Sequence, residues 1–215
     1  MAYKKKIYLV RHAQTEFNHQ QILQGSRVDL SLNETGKRQA NLFYNKYKSL
    51  PFKKIYTSPL KRSIESVALF IEEGIPVETI SDLQEMDYGL ADGKISAESS
   101  LYKNLNREWE HGNLSLKVQG GESPLQVQSR ISHFIDYILD RPREDLILVC
   151  LHGRALRILL ATLLGYELSY MHLFKHANMG LYILEFSEEI FYMEKYNDVS
   201  HLYEPSVLGD VFKCF

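Results

Sequence analysis

Two short apolar runs in this chain end directly in basic residues, and this pattern constrains the fold more than any other feature. Ile7-Tyr8-Leu9-Val10 runs straight into Arg11-His12, and residues 146–151 run into His152-Gly153-Arg154. Runs this short and this apolar are expected of strands covered on both faces. Further strands are predicted at residues 53–57, 181–186 and 190–196. Amphipathic helices alternate with them. Asn33 is a natural N-cap for a helix carrying Ala40, Phe43, Tyr44 and Tyr47 on one face. Ser58-Pro59 predicts an N-cap followed by proline at the first helical position, with a stripe of Leu60, Ile64, Val67, Ala68 and Ile71 behind it. Ser123-Pro124-Leu125-Gln126 has the form of a capping box, continued by Val127, Ile131, Phe134, Ile135 and Ile138. A last apolar helix is expected over residues 153–164, ended by Gly165. Strands alternating with helices predict an α/β sandwich with a mostly parallel sheet. Residues 83–121 are mixed and are expected to form an insertion over the sheet edge.

No repeat, low-complexity tract or linker divides the 215 residues, so a single domain over residues 1–215 is expected. The formal net charge of -2 argues against a dedicated nucleic-acid binder. No apolar run has the length of a membrane span. The basic start, Met1 to Lys6, is followed by a segment too brief and too polar for a signal peptide. The two cysteines, Cys150 and Cys214, cannot supply a disulfide framework, and a reducing, cytoplasmic setting is expected.

In open α/β sheets, sites form beyond the carboxyl ends of the strands. Three such ends here are chemically unusual: Arg11-His12, Thr57-Ser58 with Arg62 in the following helix, and His152-Gly153-Arg154. If they converge, they bring together two arginines, two histidines and the backbone donors of helix starts, an arrangement suited to an anion. A neutral imidazole is a competent nucleophile at phosphorus, and neighbouring arginines keep it unprotonated. A carboxyl group beside the anion would supply the acid for the leaving oxygen.

The stretches "RHAQTEFN" (11–18), "TSPLKRS" (57–63), "LQEMDYG" (83–89) and "LHGR" (151–154) together resemble the histidine phosphatase superfamily, the phosphoglycerate-mutase-like group. "QG" at 24–25, "SLNETGKRQA" at 31–40, "GGES" at 120–123 and "NDVSHL" at 197–202 extend the likeness along the chain. The resemblance implies a three-layer α/β/α sandwich and an activity needing neither metal nor cofactor. It implies that His12 is the nucleophile that becomes phosphohistidine, that Arg11 and Arg62 grip the phosphate, and that His152 stabilises the transferring phosphoryl group. Glu85 matches the proton donor, Asn18 a phosphate contact, and Gln24, Gly25 and Gly153 the substrate pocket. Three positions depart from the pattern. Ala13 stands where many members have glycine, Ser63 where alanine is commoner, and Ala91-Asp92 where a Trp-Glu pair is usual; the last change bears on specificity.

The expected activity is that of a metal-independent phosphomonoesterase acting on a small molecule. One alternative is a phosphoglycerate mutase, which uses the same nucleophile. Another, of a different class, is a non-catalytic module that binds phosphorylated ligands. Sugar phosphates, nucleotide-related monoesters, α-ribazole phosphate and phosphoproteins all fit the site residues, and no sequence feature sets the oligomeric state. Arg154 is expected to face outward. His172 and His176 have a spacing that can hold zinc on a helix, but no third ligand or HExxH accompanies them, so a structural role is favoured. His201 carries no assigned chemistry, and Trp109 is read as core or pocket wall.

Overall fold

The computed structural model describes residues 3–94, 96 and 99–203; Cys214 and the first two residues lie outside them. Six strands form one sheet: β1 (Lys5–Arg11), β2 (Lys54–Thr57), β3 (Val77–Thr79), β4 (Leu146–Leu151), β5 (Leu181–Ser187) and β6 (Ile190–Asp198), in the order β3-β2-β4-β1-β5-β6. The β3–β2, β2–β4 and β4–β1 pairs are parallel, while β5 and β6 are added antiparallel at the β1 side. β3 escapes the sequence pattern because it is a three-residue edge strand with no buried side chain.

The continuous apolar strands are explained by helices on both faces. Successive residues of β1 point to opposite layers: Ile7 and Leu9 join one core, Tyr8 and Val10 the other. The first core is covered by α6 (Pro124–Leu139) and α7 (Gly153–Leu163), through Val127, Ile131, Phe134, Leu156 and Leu159. The second is covered by α2 (Glu34–Tyr47), α3 (Lys61–Ser66) and α4 (Ala68–Glu72), through Phe43, Tyr47, Val67 and Phe70. The short α1 (Glu16–His19) follows β1, and α5 (Ser100–Glu110) lies within the segment read as an insertion. The molecule is thus the expected three-layer α/β/α sandwich with a mostly parallel sheet.

Local signals account for most helix ends. Asn33 accepts the Gly36 N–H at 2.8 Å, and the Ser123–Gln126 capping box is formed. Gly165, at φ +69°, terminates α7 in the conformation glycine adopts most readily. Ser58 is a correction. The helix begins at Lys61 with Leu60 as its N-cap, and the Ser58 hydroxyl bonds His152 instead. The stripe that follows is also broken in two at Val67. Ser66 donates back to the Arg62 carbonyl at 2.6 Å and accepts the Ala13 N–H at 2.8 Å, which diverts the helix and ties it to the loop after β1.

That loop is also fastened to α2. Gln14 receives the Asn33 N–H and side-chain amide on its carbonyl and side-chain oxygens, and donates its own N–H to Gln39. Its backbone passes so close that a Cβ on Gly36 would meet the Gln14 carbonyl oxygen at 2.1 Å. Gly36→Ala should therefore lower the urea unfolding midpoint, although alanine alone favours a helix by about 1 kcal/mol. A midpoint that rises would mean that the loop can move aside.

Candidate active site

The carboxyl ends of β1 and β4 are adjacent and in register, with Arg11 opposite Leu151 and the His12 N–H donating to the Leu151 carbonyl at 2.9 Å. A cavity of about 340 Å³ opens beyond them. Of the residues predicted for the site, Arg11, His12, Asn18, Gln24, Glu85 and Gly153 line it. Arg62, His152 and Gly25 stand behind that lining and are held by the same network.

His12 is 3 % exposed, and its Nδ1 lies 2.7 Å from the Ala13 carbonyl. A carbonyl can only accept, so this bond assigns the proton to Nδ1 and leaves the Nε2 lone pair unprotonated. Burial, with Arg62 and Arg11 adding repulsion, holds the imidazole well below its usual value of 6.5. The His152 ring lies 5.1 Å from it. His152 Nδ1 accepts from Arg62 Nε at 3.1 Å, and its Nε2 is 2.6 Å from the Ser58 hydroxyl, so this ring too is neutral and oriented. Burial and the charges of Arg62 and Arg11 lower it in the same way.

Arg62 is fully buried. It donates to the carbonyls of Val28 and Gly25, and burial lowers its pKa to about 10 despite the nearby Glu85. Arg11 donates to the His176 carbonyl at 2.7 Å and to its Nδ1 at 3.1 Å, leaving Nε buried without a partner. Asn18 Oδ1 accepts from the Thr15 backbone and hydroxyl and from Asn178, which fixes the amide orientation and leaves its NH₂ group to donate elsewhere. Gln24 accepts from Thr15 at 2.8 Å. Gly25 is required by close packing, since a Cβ there would meet the Met86 carbonyl at 2.5 Å.

Glu85 reaches the cavity from the segment after β3. Its carboxylate accepts the N–H groups of Met86, Arg154 and Ala155 at 2.8, 3.0 and 3.1 Å, and so closes the N-terminus of α7 that its own N-cap, His152, leaves open.

Several site residues escaped the sequence reading. Arg154 is 4 % exposed and lines the cavity, contrary to the outward orientation expected of it. Tyr102 and Asn106 of α5 accept from its guanidinium, and Trp109, itself buried, packs 4.9 Å from it. Arg157 and Tyr88 also line the cavity. The spacing of the HG-R-x-x-R segment around one helix was the available signal, but only α5 turns that face inward. Asp92, one of the unusual pair, accepts the N–H groups of Gly25 and Arg27 at 2.6 and 2.9 Å and thereby fixes the pocket loop. Ser63 anchors α3 to the Cys150 carbonyl at 2.6 Å. His172 and His176 both line the cavity, but the 3₁₀ turn carrying His172 ends at Leu173, so they are not helical neighbours. Among the described residues no group of three or more His, Cys, Asp or Glu could hold a metal ion. His201 packs on the opposite layer against Phe43 and Tyr47, away from the site.

A family profile described as the histidine phosphatase superfamily (branch 1) matches residues 7–199. Phosphoserine phosphatase 1 of Hydrogenobacter thermophilus is 32% identical over 202 residues, covering 93% of this chain and 95% of that one. A probable phosphoglycerate mutase, GpmB of Cronobacter sakazakii, is 29% identical over 210 residues, covering 94% and 97%. Among solved structures, YhfR of Bacillus stearothermophilus superposes with a TM-score of 0.80 at 27% identity, covering 92% of this chain and 98% of its own. The chain belongs to the histidine phosphatase superfamily. Among the described residues no helix is long and apolar enough to cross a membrane.

The buried neutral histidines have a consequence for stability. His12, His152 and His176 are all depressed by burial and by arginine charge, so below pH 6.5 the unfolded chain takes up protons that the folded one refuses. Their contribution is complete above that pH and is lost as the pH falls towards the folded values. Each adds a slope of about 1.4 kcal/mol per pH unit. Denaturant unfolding at pH 7.5 and 5.5 should show a marked loss at the lower pH, smaller in His176→Gln. Equal stability at the two values would contradict the neutral assignment.

Proposed function

We propose that the protein hydrolyses small phosphomonoesters through a phosphohistidine at His12, without a metal ion or cofactor. The observation that carries this reading is the His12 tautomer: Nδ1 is tied to Ala13, which leaves Nε2 unprotonated on a ring that lines a cavity shared with Arg11, Arg154 and Arg157. Arg11 and the Asn18 amide hold the phosphoryl oxygens from the cavity side, with Arg62 and His152 as the inner partners. The Nε2 lone pair forms a bond to phosphorus while the bond from phosphorus to the ester oxygen breaks. Glu85 gives its proton to the departing alkoxide. Water then attacks phosphorus, Glu85 takes the water's proton, and the P–N bond breaks to release phosphate and restore His12. Gln24, Gly25 and Gly153 shape the space for the alcohol. The phosphatase name of the 32% identical relative supports hydrolysis.

His12→Ala should abolish phosphate release from 4-nitrophenyl phosphate and the acid-labile phosphoenzyme trapped by rapid quench. Equal release by wild type and variant would overturn the mechanism. Glu85→Gln should lower kcat on alkyl phosphates by about 10²- to 10⁴-fold, the usual worth of a general acid, with less effect on the nitrophenyl ester, whose leaving group needs no proton. Activity should persist in chelator. Efficient isomerisation of 3-phosphoglycerate primed with a trace of the bisphosphate would favour a mutase instead.

A further inference from the structure

Arg154 and Arg157 occupy the outer part of the cavity, and the reaction proposed above gives neither a task. Arg154 is almost fully buried; its Nη2 donates to Tyr102 and Asn106, and its Nε is buried without a partner. Arg157 uses only Nε, which donates to the Phe174 carbonyl at 2.7 Å, so both Nη groups at the end of its fork stay unused. Neither arginine is in an ion pair among the described residues. Burial, reinforced by repulsion from Arg154, lowers the Arg157 pKa to about 10. The two guanidinium groups stand on one face of α7, neither paired with a carboxylate among the described residues, so an anion entering between them would complete the site. The transferring phosphoryl group is not that anion, because Arg11 and Arg62 already match its charge. Apart from Glu85, the one carboxylate lining the cavity among the described residues is Glu110, which is exposed.

We propose that Arg154 and Arg157 form a second anion subsite and that the substrate is a phosphomonoester whose alcohol carries a carboxylate. This deepens the hydrolase reading and rests on it. The unused end of the Arg157 fork matches the two oxygens of a carboxylate, and Arg154 adds a donor from a second direction. At about 340 Å³ the cavity has room for the phosphoryl group and a short-chain acid together. Tyr102 and Asn106 act as positioning residues for Arg154.

The test compares esters that differ by the carboxylate: O-phosphoserine against O-phosphoethanolamine, and 3-phosphoglycerate against glycerol 3-phosphate. Wild-type kcat/KM should favour the carboxylated member of at least one pair by about 10- to 100-fold, the worth of a charged hydrogen bond. In Arg154→Met and Arg157→Met that preference should fall towards unity, chiefly through KM. Asn106→Leu should erode it partly. Equal wild-type turnover within both pairs overturns the subsite whether or not the variants fold. Preference for a bisphosphorylated alcohol, such as glycerol bisphosphate, overturns the carboxylate assignment. Failure of wild type to release phosphate from 4-nitrophenyl phosphate defeats the hydrolase reading itself, a separate outcome.

Discussion

The parallel pairing of β1 with β4 is the interaction on which the site depends. In this register two chain segments about 140 residues apart end at the same level, so that His12 and His152 emerge side by side from the sheet. A one-residue slip of β1 would turn that strand over, moving Ile7 and Leu9 into the layer of Tyr8 and Val10. The cores on the two faces therefore enforce the alignment of the histidines. Hydrophobic burial fixes the strands, and the strands fix the chemistry.

Around those ends the protein gathers charge that it does not neutralise. Arg62 is held by carbonyls and a histidine, Arg11 by His176, and Arg154 by a phenol and an amide. Neutral dipoles orient the guanidinium groups without consuming their charge. The same field keeps the imidazoles deprotonated, so electrostatics that would attract a phosphate dianion also leave the Nε2 lone pair of His12 free.

Much of this was legible in the sequence where a pattern was local. Apolar runs revealed five of the six strands, and β3 was missed because an edge strand of three residues carries no such run. The caps at Asn33 and Ser123 act within four residues and were readable for that reason. Ser58 looked equally like a cap, yet its hydroxyl is drawn to a histidine just beyond β4, a pull no local rule contains. The family motifs brought His12, Arg11, Asn18 and Glu85 into view. Arg154 was misjudged because its orientation is decided by α5, which packs over it from a segment about 50 residues earlier in the chain.

The way α5 meets the cavity separates two kinds of change. His12 is set by the carbonyl of the next residue and Arg62 by the loop carrying Gly25 and Val28, so these two side chains take no support from that helix. Tyr102, Asn106 and Trp109, by contrast, all lie on α5 and touch the site through Arg154 alone among its arginines. Under the proposed function, substitutions along this one helix would change what the outer cavity accepts while His12 and Arg62 stay in place.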